Sequence, residues 1–249
     1  PGSLERVHLA AEATKRALTD GLHHVTDPEF EDVPDLASKS YATDRATEID
    51  AEATADVEVG FPNDRAEDAD TVLLTVADNA GNVVSYINSR FRDFGSGVVA
   101  GDTGIALQNR GSSFSLDSDH PNRFEPGKRP FHTLIPGVAR LDEDDWAAFG
   151  IMGGYMQPQG HVQVLMNLLD DGMSIQEALD FPRWRYQTNG QLAVEGRFDG
   201  SLLTKLARRG HDVRVMPPPH FGGGQIARNA DGVLSGGTDP RKDGAAIGF

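Results

Sequence analysis

The stretch TVLLTVADNAGNVVSYI at residues 71–87 decides the fold class of this chain. Residues 71–77 and 83–87 are rich in β-branched and apolar side chains, which predicts two strands. The DNAGN between them is typical of a turn, because Gly81 can adopt the positive φ that a tight turn requires. We therefore expect a hairpin in which Thr71 begins a buried strand.

The sequence upstream of this hairpin is more polar. Residues 4–18 carry apolar side chains at helical spacing behind Ser3, a favourable N-cap, and predict a helix. Residues 35–49 predict one further helix. Residues 61–70 (FPNDRAEDAD) have almost no apolar content and predict an exposed acidic linker that ends at Asp70.

Downstream of the hairpin, helical and strand patterns alternate. Residues 112–129 predict a long ordered loop. We predict strands at residues 105–108, 133–141, 146–151, 192–195, 213–215, 224–229 and 233–235, and helices at 160–169, at 202–209 and directly after the capping box of Ser174 and Glu177. This mixture predicts an α+β fold with sheets packed against helices.

Composition excludes several classes of protein. The 249 residues include 23 Lys and Arg against 38 Asp and Glu, a formal charge of −15, which argues against a nucleic-acid partner. No apolar run approaches the roughly 20 residues that span a bilayer, so we expect no membrane partner. The absence of Cys excludes disulfides and thiolate catalysis.

The beginning of the chain bears on its cellular location. It opens on Pro1 rather than Met and has no signal peptide, so we expect that a preceding segment is missing. The compartment stays open, with the cytoplasm favoured over secretion.

The glycines at 222–224 lack the Gly-Lys-Ser/Thr of a phosphate loop, and no His pair has metal-binding helical spacing with a Glu. We expect neither a metal nor an organic cofactor.

Two features could support chemistry. Gly153 and Gly154 end the sequence GIMGG between a predicted strand and a predicted helix, where consecutive backbone N–H groups could bind an oxyanion. A tight turn without a ligand is the alternative. If the chain were cut between Asp70 and Thr71, Thr71 would combine a hydroxyl with a free α-amine of pKa near 8, which suits a general base. A strand that merely begins with Thr is the alternative there.

The sequence resembles the γ-glutamyltranspeptidase family of N-terminal-nucleophile hydrolases over essentially its whole length. Besides the hairpin, the resemblance rests on the stretches HLAAEATKRA (8–17), DPEF (27–30), FGSGVVAGDTGIALQNRG (94–111), PGKRPFHTLIP (126–136), GIMGG (150–154), FPRW (181–184) and SGGTDPR (235–241). It implies an αββα four-layer sandwich, of which this chain supplies only part. The family's precursor cleaves itself immediately before a Thr.

The resemblance implies a division of the chain and a set of catalytic residues. Residues 1–70 correspond to the C-terminal end of a large subunit and residues 71–249 to a small catalytic subunit. The missing N-terminal part of the large subunit would come from the same precursor or a second chain. Thr71 corresponds to the nucleophile, Ser89 to a hydroxyl that hydrogen-bonds beside it, and Gly153 and Gly154 to the oxyanion hole. The implied chemistry is acyl transfer from a small-molecule amide.

The substrate-binding positions depart from the family pattern. Transpeptidases hold a γ-glutamyl group with an Asn, a Gln and an Asp, where this chain has Phe91, Arg110 and Ser113. A pair of serines is replaced by His132 and Thr133. Arg110 adds a donor fork for a carboxylate, although an ion pair within the protein is an equal alternative. The exchange favours an acyl group with a carboxylate and no amine, as in a divergent branch that includes oxamate amidohydrolases.

The sequence therefore predicts a self-processing amide hydrolase or acyltransferase. Its substrate is either a γ-glutamyl compound, as in glutathione metabolism, or a related small carboxylated amide. A member of the family that has lost catalysis and serves as a subunit or binding module is the alternative from another class.

Overall fold

The computed structural model describes residues 2–55, 71–187 and 189–249. In chain order the elements are α1 (Leu4–His24), α2 (Lys39–Ala46), β1 (Thr71–Ala77), β2 (Val83–Ser89), β3 (Gly137–Asp142), β4 (Asp145–Met152), α3 (Met156–Leu169), α4 (Ile175–Asp180), β5 (Trp184–Tyr186), β6 (Leu192–Glu195), α5 (Gly200–Arg208), β7 (Val213–Met216), β8 (Gly223–Ala230) and β9 (Val233–Thr238). This content confirms the α+β class. The predicted linker at 61–70, with Asp70, lies outside the described residues.

The chain forms two compact units. The α1 unit comprises the described residues of Pro1–Arg65, Arg110–His132 and Trp184–Val215. The hairpin unit comprises those of Ala66–Asn109, Thr133–Arg183 and Met216–Phe249.

The hairpin unit is built in three layers. β1 and β2 pair antiparallel, with Thr71 opposite Ser89, as predicted. This hairpin packs against β4 and β8 of a four-stranded antiparallel sheet with the order β3-β4-β8-β9. α3 and α4 pack against the same sheet, around an apolar cluster of Phe149, Ile151, Met156, Val164, Ala178, Leu179 and Ile226. The two adjacent sheets and one helical layer are three of the four layers expected.

One face of the β1–β2 hairpin is apolar and exposed. Val72 and Leu74 of β1 are 64% and 54% exposed, and Val84 and Tyr86 of β2 are 51% and 54% exposed. These residues alternate with inward-facing ones such as Leu73, which is buried. Strands whose two faces are both apolar are typical of a sheet that is covered on both sides.

The α1 unit combines a three-stranded sheet with helices. The strand order is β5-β6-β7, and α1 packs against β5, α5 and α2. α1 extends to His24, beyond the predicted end at residue 18, and Ser3 caps it by accepting a hydrogen bond from the N–H of Arg6. None of the helices that the structure describes is long and apolar enough to cross a membrane.

Two strand predictions differ from the structure. The strand predicted at residues 105–108 is wrong: only an isolated bridge between Val99 and Ala106 forms there. Gly101 and Gly104 adopt positive φ beside it, and Ile105 is exposed, so no buried face supports a strand. β5 was not predicted, because three residues behind a proline are too few to show a period of two.

Candidate active site

Thr71 lies at the start of β1, within hydrogen-bond reach of a second hydroxyl. Its Oγ1 donates to the Oγ of Ser89 at 3.1 Å. The same Ser89 oxygen accepts the backbone N–H of Phe91 at 2.9 Å. Because Ser89 is the register partner of Thr71, the hairpin pairing itself brings these two side chains together. Ser89 thus connects the Thr71 hydroxyl to the turn that follows β2.

That turn is strained at Phe91. Phe91 has a φ of +78°, an uncommon conformation for a bulky side chain, yet it is almost fully buried. The guanidinium of Arg92 lies 5.0 Å from its ring centroid. The Asn109 side chain also holds the turn, since it accepts the N–H of Arg92 at 3.0 Å and donates to the carbonyl of Gly95 at 2.9 Å.

Gly153 and Gly154 form the turn between β4 and α3. Their φ angles are +116° and +57°, a backbone path that glycine adopts without steric cost. Their carbonyl oxygens accept the N–H groups of Met156 and Gln157, each at 3.0 Å, and so belong to the first turn of α3. Tyr155, the N-cap residue, makes no side-chain capping bond. The positive end of the dipole of α3 lies at this turn, which favours an anion near the backbone N–H groups of the two glycines.

Three contacts define how the hairpin stacks on β4. Asn229, the partner of Trp146 in the sheet, donates to the carbonyl oxygen of Asp78 at 2.9 Å. Ser85 donates to the carbonyl oxygen of Phe149 at 2.9 Å. Gly150 is so close to Leu73 that an added Cβ would lie 2.8 Å from a methyl carbon of Leu73.

Across these contacts, β1 and β4 run antiparallel. As β4 advances from residue 146 to residue 150, its neighbours in the hairpin step back from residue 78 to residue 73. The start of β1 and the end of β4 therefore lie at the same edge of the stacked sheets. The structure thus brings Thr71 and Ser89 to the end of the unit that carries Gly153 and Gly154.

A second glycine turn supports this edge. Gly222 has a φ of +69°, and an added Cβ would lie 2.2 Å from the carbonyl oxygen of Met152. A Cβ on Gly153 would lie 3.2 Å from the Cα of Gly222. The two turns therefore pack backbone against backbone, and side chains at these positions would separate them.

A buried ionic network fixes the second turn. Asp239 accepts the N–H of Gly224 at 2.9 Å, and its carboxylate pairs with Arg183 at 2.7 Å and with Arg241 at 3.1 Å. Arg183 also donates to the carbonyl oxygen of Phe221 at 3.1 Å. Arg183 lies in the motif FPRW, and Asp239 and Arg241 lie in SGGTDPR, but neither motif by itself indicates a role for them. Only the fold shows that the two motifs meet.

The remaining predicted substrate residues are divided between the units. Arg110, Ser113 and His132 belong to the α1 unit, whereas Thr133 belongs to the hairpin unit and is buried. Arg110 and Ser113 are buried in a single 3₁₀ turn. Burial, and then the positive charge of Arg110, lowers the pKa of His132 below its usual value. A neutral imidazole beside a guanidinium can accept or donate a hydrogen bond without adding charge.

One cluster of potential metal ligands occurs among the described residues, in the α1 unit. His8, Glu12 and His211 have ligand atoms within 4.8 Å of one another. However, Glu12 already pairs with Lys15 at 2.6 Å and Arg16 at 3.0 Å, and two buried positive charges repel a cation. Nδ1 of His8 and Nε2 of His211 are hydrogen-bonded at 2.8 Å. The cluster therefore fits a structural network better than a metal site.

Known proteins match the chain over its whole length. The family model described as Gamma-glutamyltranspeptidase matches residues 1–249. The glutathione hydrolase-like YwrD proenzyme of Bacillus subtilis (strain 168) is 42% identical over 258 residues, which cover 100% of this chain and 48% of the relative. The oxamate amidohydrolase proenzyme of Klebsiella pneumoniae is 40% identical, with 98% of this chain and 47% of the relative covered.

A solved structure shows the same fold. The crystal structure of cephalosporin acylase from Bacillus halodurans superposes with a TM-score of 0.87 at 44% identity, covering 99% of this chain and 46% of that chain. The chain thus spans about half the length of the relatives it matches. The match over all 249 residues and these identities show that the chain belongs to the γ-glutamyltranspeptidase family.

Proposed function

We propose that the protein is a self-processing amide hydrolase or acyltransferase with Thr71 as its N-terminal nucleophile. The observation that carries this proposal is the hydrogen bond of the Thr71 hydroxyl to Ser89 at the edge where Gly153 and Gly154 lie. The proenzyme names of the relatives support processing as well. Scission between Asp70 and Thr71 would give the nucleophile its free α-amine.

The α-amine of Thr71 is the proposed general base. It takes the proton of the Thr71 hydroxyl as Oγ1 attacks the amide carbonyl carbon. Ser89, which accepts from this hydroxyl before scission, keeps Oγ1 oriented at the end of β1. In the tetrahedral intermediate the former carbonyl oxygen carries the negative charge.

The N–H groups of Gly153 and Gly154 are proposed to stabilise that oxyanion. The C–N bond then breaks, and the leaving amine takes the proton from the α-amine of Thr71. The acyl group remains on Oγ1 as an ester; water or a second amine attacks its carbonyl carbon, the bond to Oγ1 breaks, and the Thr71 hydroxyl regains a proton. Loss of one oxyanion donor typically slows such a step by about 10²–10³-fold.

The exposed apolar face of the hairpin supports a partner. We assign residues 1–70 to the end of a large subunit and residues 71–249 to a small subunit. The missing part of the large subunit would then supply the fourth layer and cover Val72 and Leu74, which a lone chain leaves exposed. Leu74→Asp should prevent copurification of the two parts, whereas Asn79→Asp, in the exposed turn between the two strands, should not.

The substrate is proposed to be a small amide that bears a carboxylate. Arg110 is proposed to bind the carboxylate through its guanidinium fork, and Ser113, His132, Thr133 and Phe91, which occupy the substrate positions of the family, are proposed as further substrate-binding residues. No acidic residue stands at these five positions to neutralise an ammonium. Similarity to the oxamate amidohydrolase proenzyme supports this class, but the glutathione hydrolase-like relative is as similar, so the preference over γ-glutamyl compounds rests on the substrate positions.

Ammonia release from oxamate and release of the cysteinyl peptide from glutathione analogues, measured side by side, separate the two substrate classes. We expect release from oxamate and little reaction with glutathione analogues, and Arg110→Gln should raise KM for oxamate more than it lowers kcat. Activity on γ-glutamyl compounds alone would contradict the pocket assignment. An unchanged KM in Arg110→Gln would instead place Arg110 in an internal ion pair.

The intact mass of the denatured protein, expressed from its complete reading frame, tests processing directly. We expect two pieces, one of which begins at Thr71. Thr71→Ala should remain uncut, whereas Thr75→Val, a matched change on the same strand, should be cut like the wild type. A wild-type chain that stays whole, or is cut without reacting with an electrophilic amide mimic, would favour a non-catalytic subunit.

A further inference from the structure

The backbone N–H of Ile151 lies at an interruption of the sheet. β3 pairs with β4 only as far as Phe149, which lies opposite Gly137. Ile151 is two residues further along β4, beyond the last β3 partner. Its N–H is accepted instead by a side chain, Nε2 of His161 on α3, at 3.2 Å. A histidine thus replaces the missing strand at the end of β4.

α3 also holds the side chain of Ile151. Gly160 lies so close that an added Cβ would be 2.8 Å from the Cγ2 atom of Ile151. From the neighbouring strand, an added Cβ on Gly224 would lie 2.7 Å from the Cδ1 atom. Ile151 is therefore enclosed on both sides, and His161 fixes the direction of its peptide group.

The imidazole of His161 is suited to accept this hydrogen bond. An acceptor Nε2 must be unprotonated, which places the ring proton on Nδ1. Burial lowers the pKa of His161 to about 4, so the ring is neutral near pH 7. The ring packs on Phe149, with centroids 4.9 Å apart. No other residue of α3 is ionisable in MQPQGHVQVLMNLL.

We infer that His161 is a positioning residue for the Gly153–Gly154 turn. This inference rests on the proposed function, in which the N–H groups of that turn stabilise an oxyanion. The turn begins two residues after Ile151, and neither glycine has a side chain to hold it. The direction of its N–H groups therefore depends on the end of β4, which His161 and Gly160 hold from α3. An error of about 1 Å in such a site can cost about 10² in rate.

Two substitutions separate the hydrogen bond from the packing of the ring. His161→Phe keeps an aromatic ring beside Phe149 but removes the hydrogen-bond acceptor. His161→Gln keeps an acceptor that, unlike the imidazole, cannot be protonated. Val162→Ala, at the exposed neighbouring position, controls for general effects on the helix. Each variant is made in the protein expressed from its complete reading frame, and His161→Leu is a second acceptor-free variant should His161→Phe fail to fold.

The kinetic readout is acylation of Thr71. We expect His161→Phe to lower kcat for amide hydrolysis about tenfold, with KM changed less than about twofold. His161→Gln should recover to within about threefold of the wild type, and Val162→Ala should match it. Wild-type kcat in His161→Phe, or an equal loss in His161→Gln, would overturn the inference.

Amide hydrogen exchange tests positioning without relying on catalysis. The amides of Ile151, Gly153 and Gly154 should exchange at least about tenfold faster in His161→Phe than in the wild type. Unchanged exchange at the two glycines would overturn the inference whether or not Thr71 reacts. Faster exchange in a protein whose Thr71 never forms an acyl-enzyme would defeat the proposed function alone and leave His161 as the residue that orders the turn.

Discussion

The α1 unit and the hairpin unit both bury a helix against a sheet, but they bury different chemistry. In the hairpin unit, α3 and α4 cover β4 with the apolar cluster around Ile151 and Leu179. In the α1 unit, α1 buries four polar side chains, His8, Glu12, Lys15 and Arg16, each no more than 5% exposed. α3 and α4 thus cover their sheet chiefly by removing apolar surface from water, whereas α1 adds a network of mutual hydrogen bonds to buried apolar residues such as Val7 and Ala11.

The polar side chains of α1 hold a segment that has few apolar residues of its own. Glu12 accepts the N–H of Thr54 at 3.2 Å, and Nε2 of His8 is hydrogen-bonded to the carbonyl oxygen of Asp50 at 2.8 Å. Burial alone would raise the pKa of Glu12, but hydrogen bonds from Lys15, Thr54 and Arg16 outweigh it and lower the pKa to about 2. Thr54 is therefore held by a carboxylate that must stay charged.

Because α1 buries a polar network and α3 and α4 bury an apolar cluster, the two units should tolerate different substitutions. An apolar core loses stability in proportion to the volume removed, because neighbouring atoms relax only in part. Removing one member of a buried polar network costs much of its stability in a single step, because the remaining partners stay buried without the group that neutralised their charge. The free energy of unfolding should therefore fall most when a member of the buried network is removed and least when a helix cap is removed.

Glu12→Ala should give the largest loss. It leaves Lys15 and Arg16 buried without their carboxylate, and we expect the free energy of unfolding to fall by about 3–5 kcal/mol. Urea unfolding measures this change. Glu5→Ala on the same helix is the matched control, because its ion pair with Arg209 is exposed and should cost less than about 1 kcal/mol. Equal effects of the two substitutions would show that the buried network adds nothing.

Leu179→Ala tests the apolar core. Leu179 is fully buried between the sheet and α4, so we expect a loss of about 2–5 kcal/mol in the same urea experiment. Leu169→Ala, at an exposed position of α3, should change stability by less than about 0.5 kcal/mol. If Leu179→Ala clearly lost more stability than Glu12→Ala, the apolar cluster would be more sensitive to a single substitution than the polar network of α1, contrary to this prediction.

Stability should fall on mild acidification. Burial, and then the charge of Lys15, lowers the pKa of His211 to about 4, against 6.5 in the unfolded chain. Between these values the unfolded chain binds more protons, so the free energy of unfolding decreases as the pH falls from about 6.5 to about 4. From pH 7 to pH 5 this amounts to about 2 kcal/mol.

A glutamine variant isolates that contribution. His211→Gln keeps an amide donor for His8 but cannot be protonated, so its stability should depend less on pH over this interval. His23→Gln, at an exposed position, should behave like the wild type. His161→Gln should reduce the pH dependence in the same direction in the hairpin unit. A wild-type slope in His211→Gln would show that His211 is not buried in its neutral form.

Helix caps should give the smallest effects, and equal ones in both units. Ser3 caps α1, and Ser174 caps α4 in a reciprocal capping box with Glu177. Ser3→Ala and Ser174→Ala should each lower the melting temperature by an amount equivalent to about 1 kcal/mol. Ser201→Ala, inside α5, serves as the control. A much larger loss for one cap would show that it also supports the core of its unit.

The features that the sequence predicted are those that depend on neighbouring residues. The β1–β2 hairpin, the capping box and the β8–β9 hairpin form where predicted, because turn residues and strand or helix periodicity act over a few positions. Helix ends were less accurate: α3 begins at Met156 rather than at residue 160, because Pro158 in its first turn is tolerated. The residues proposed for catalysis were chosen by resemblance, since Thr71 has no local pattern of its own.

Only the tertiary structure decided which distant groups meet. His8 and His211 are 203 residues apart, and Arg183 reaches Asp239 across 56 positions, so no periodicity could pair them. The same holds for His161 at the end of β4, where the acceptor is needed only because β3 stops pairing at Phe149. Apolar burial follows from a pattern because it has no direction. A buried polar group needs a partner at one distance and angle, and only the folded chain supplies it.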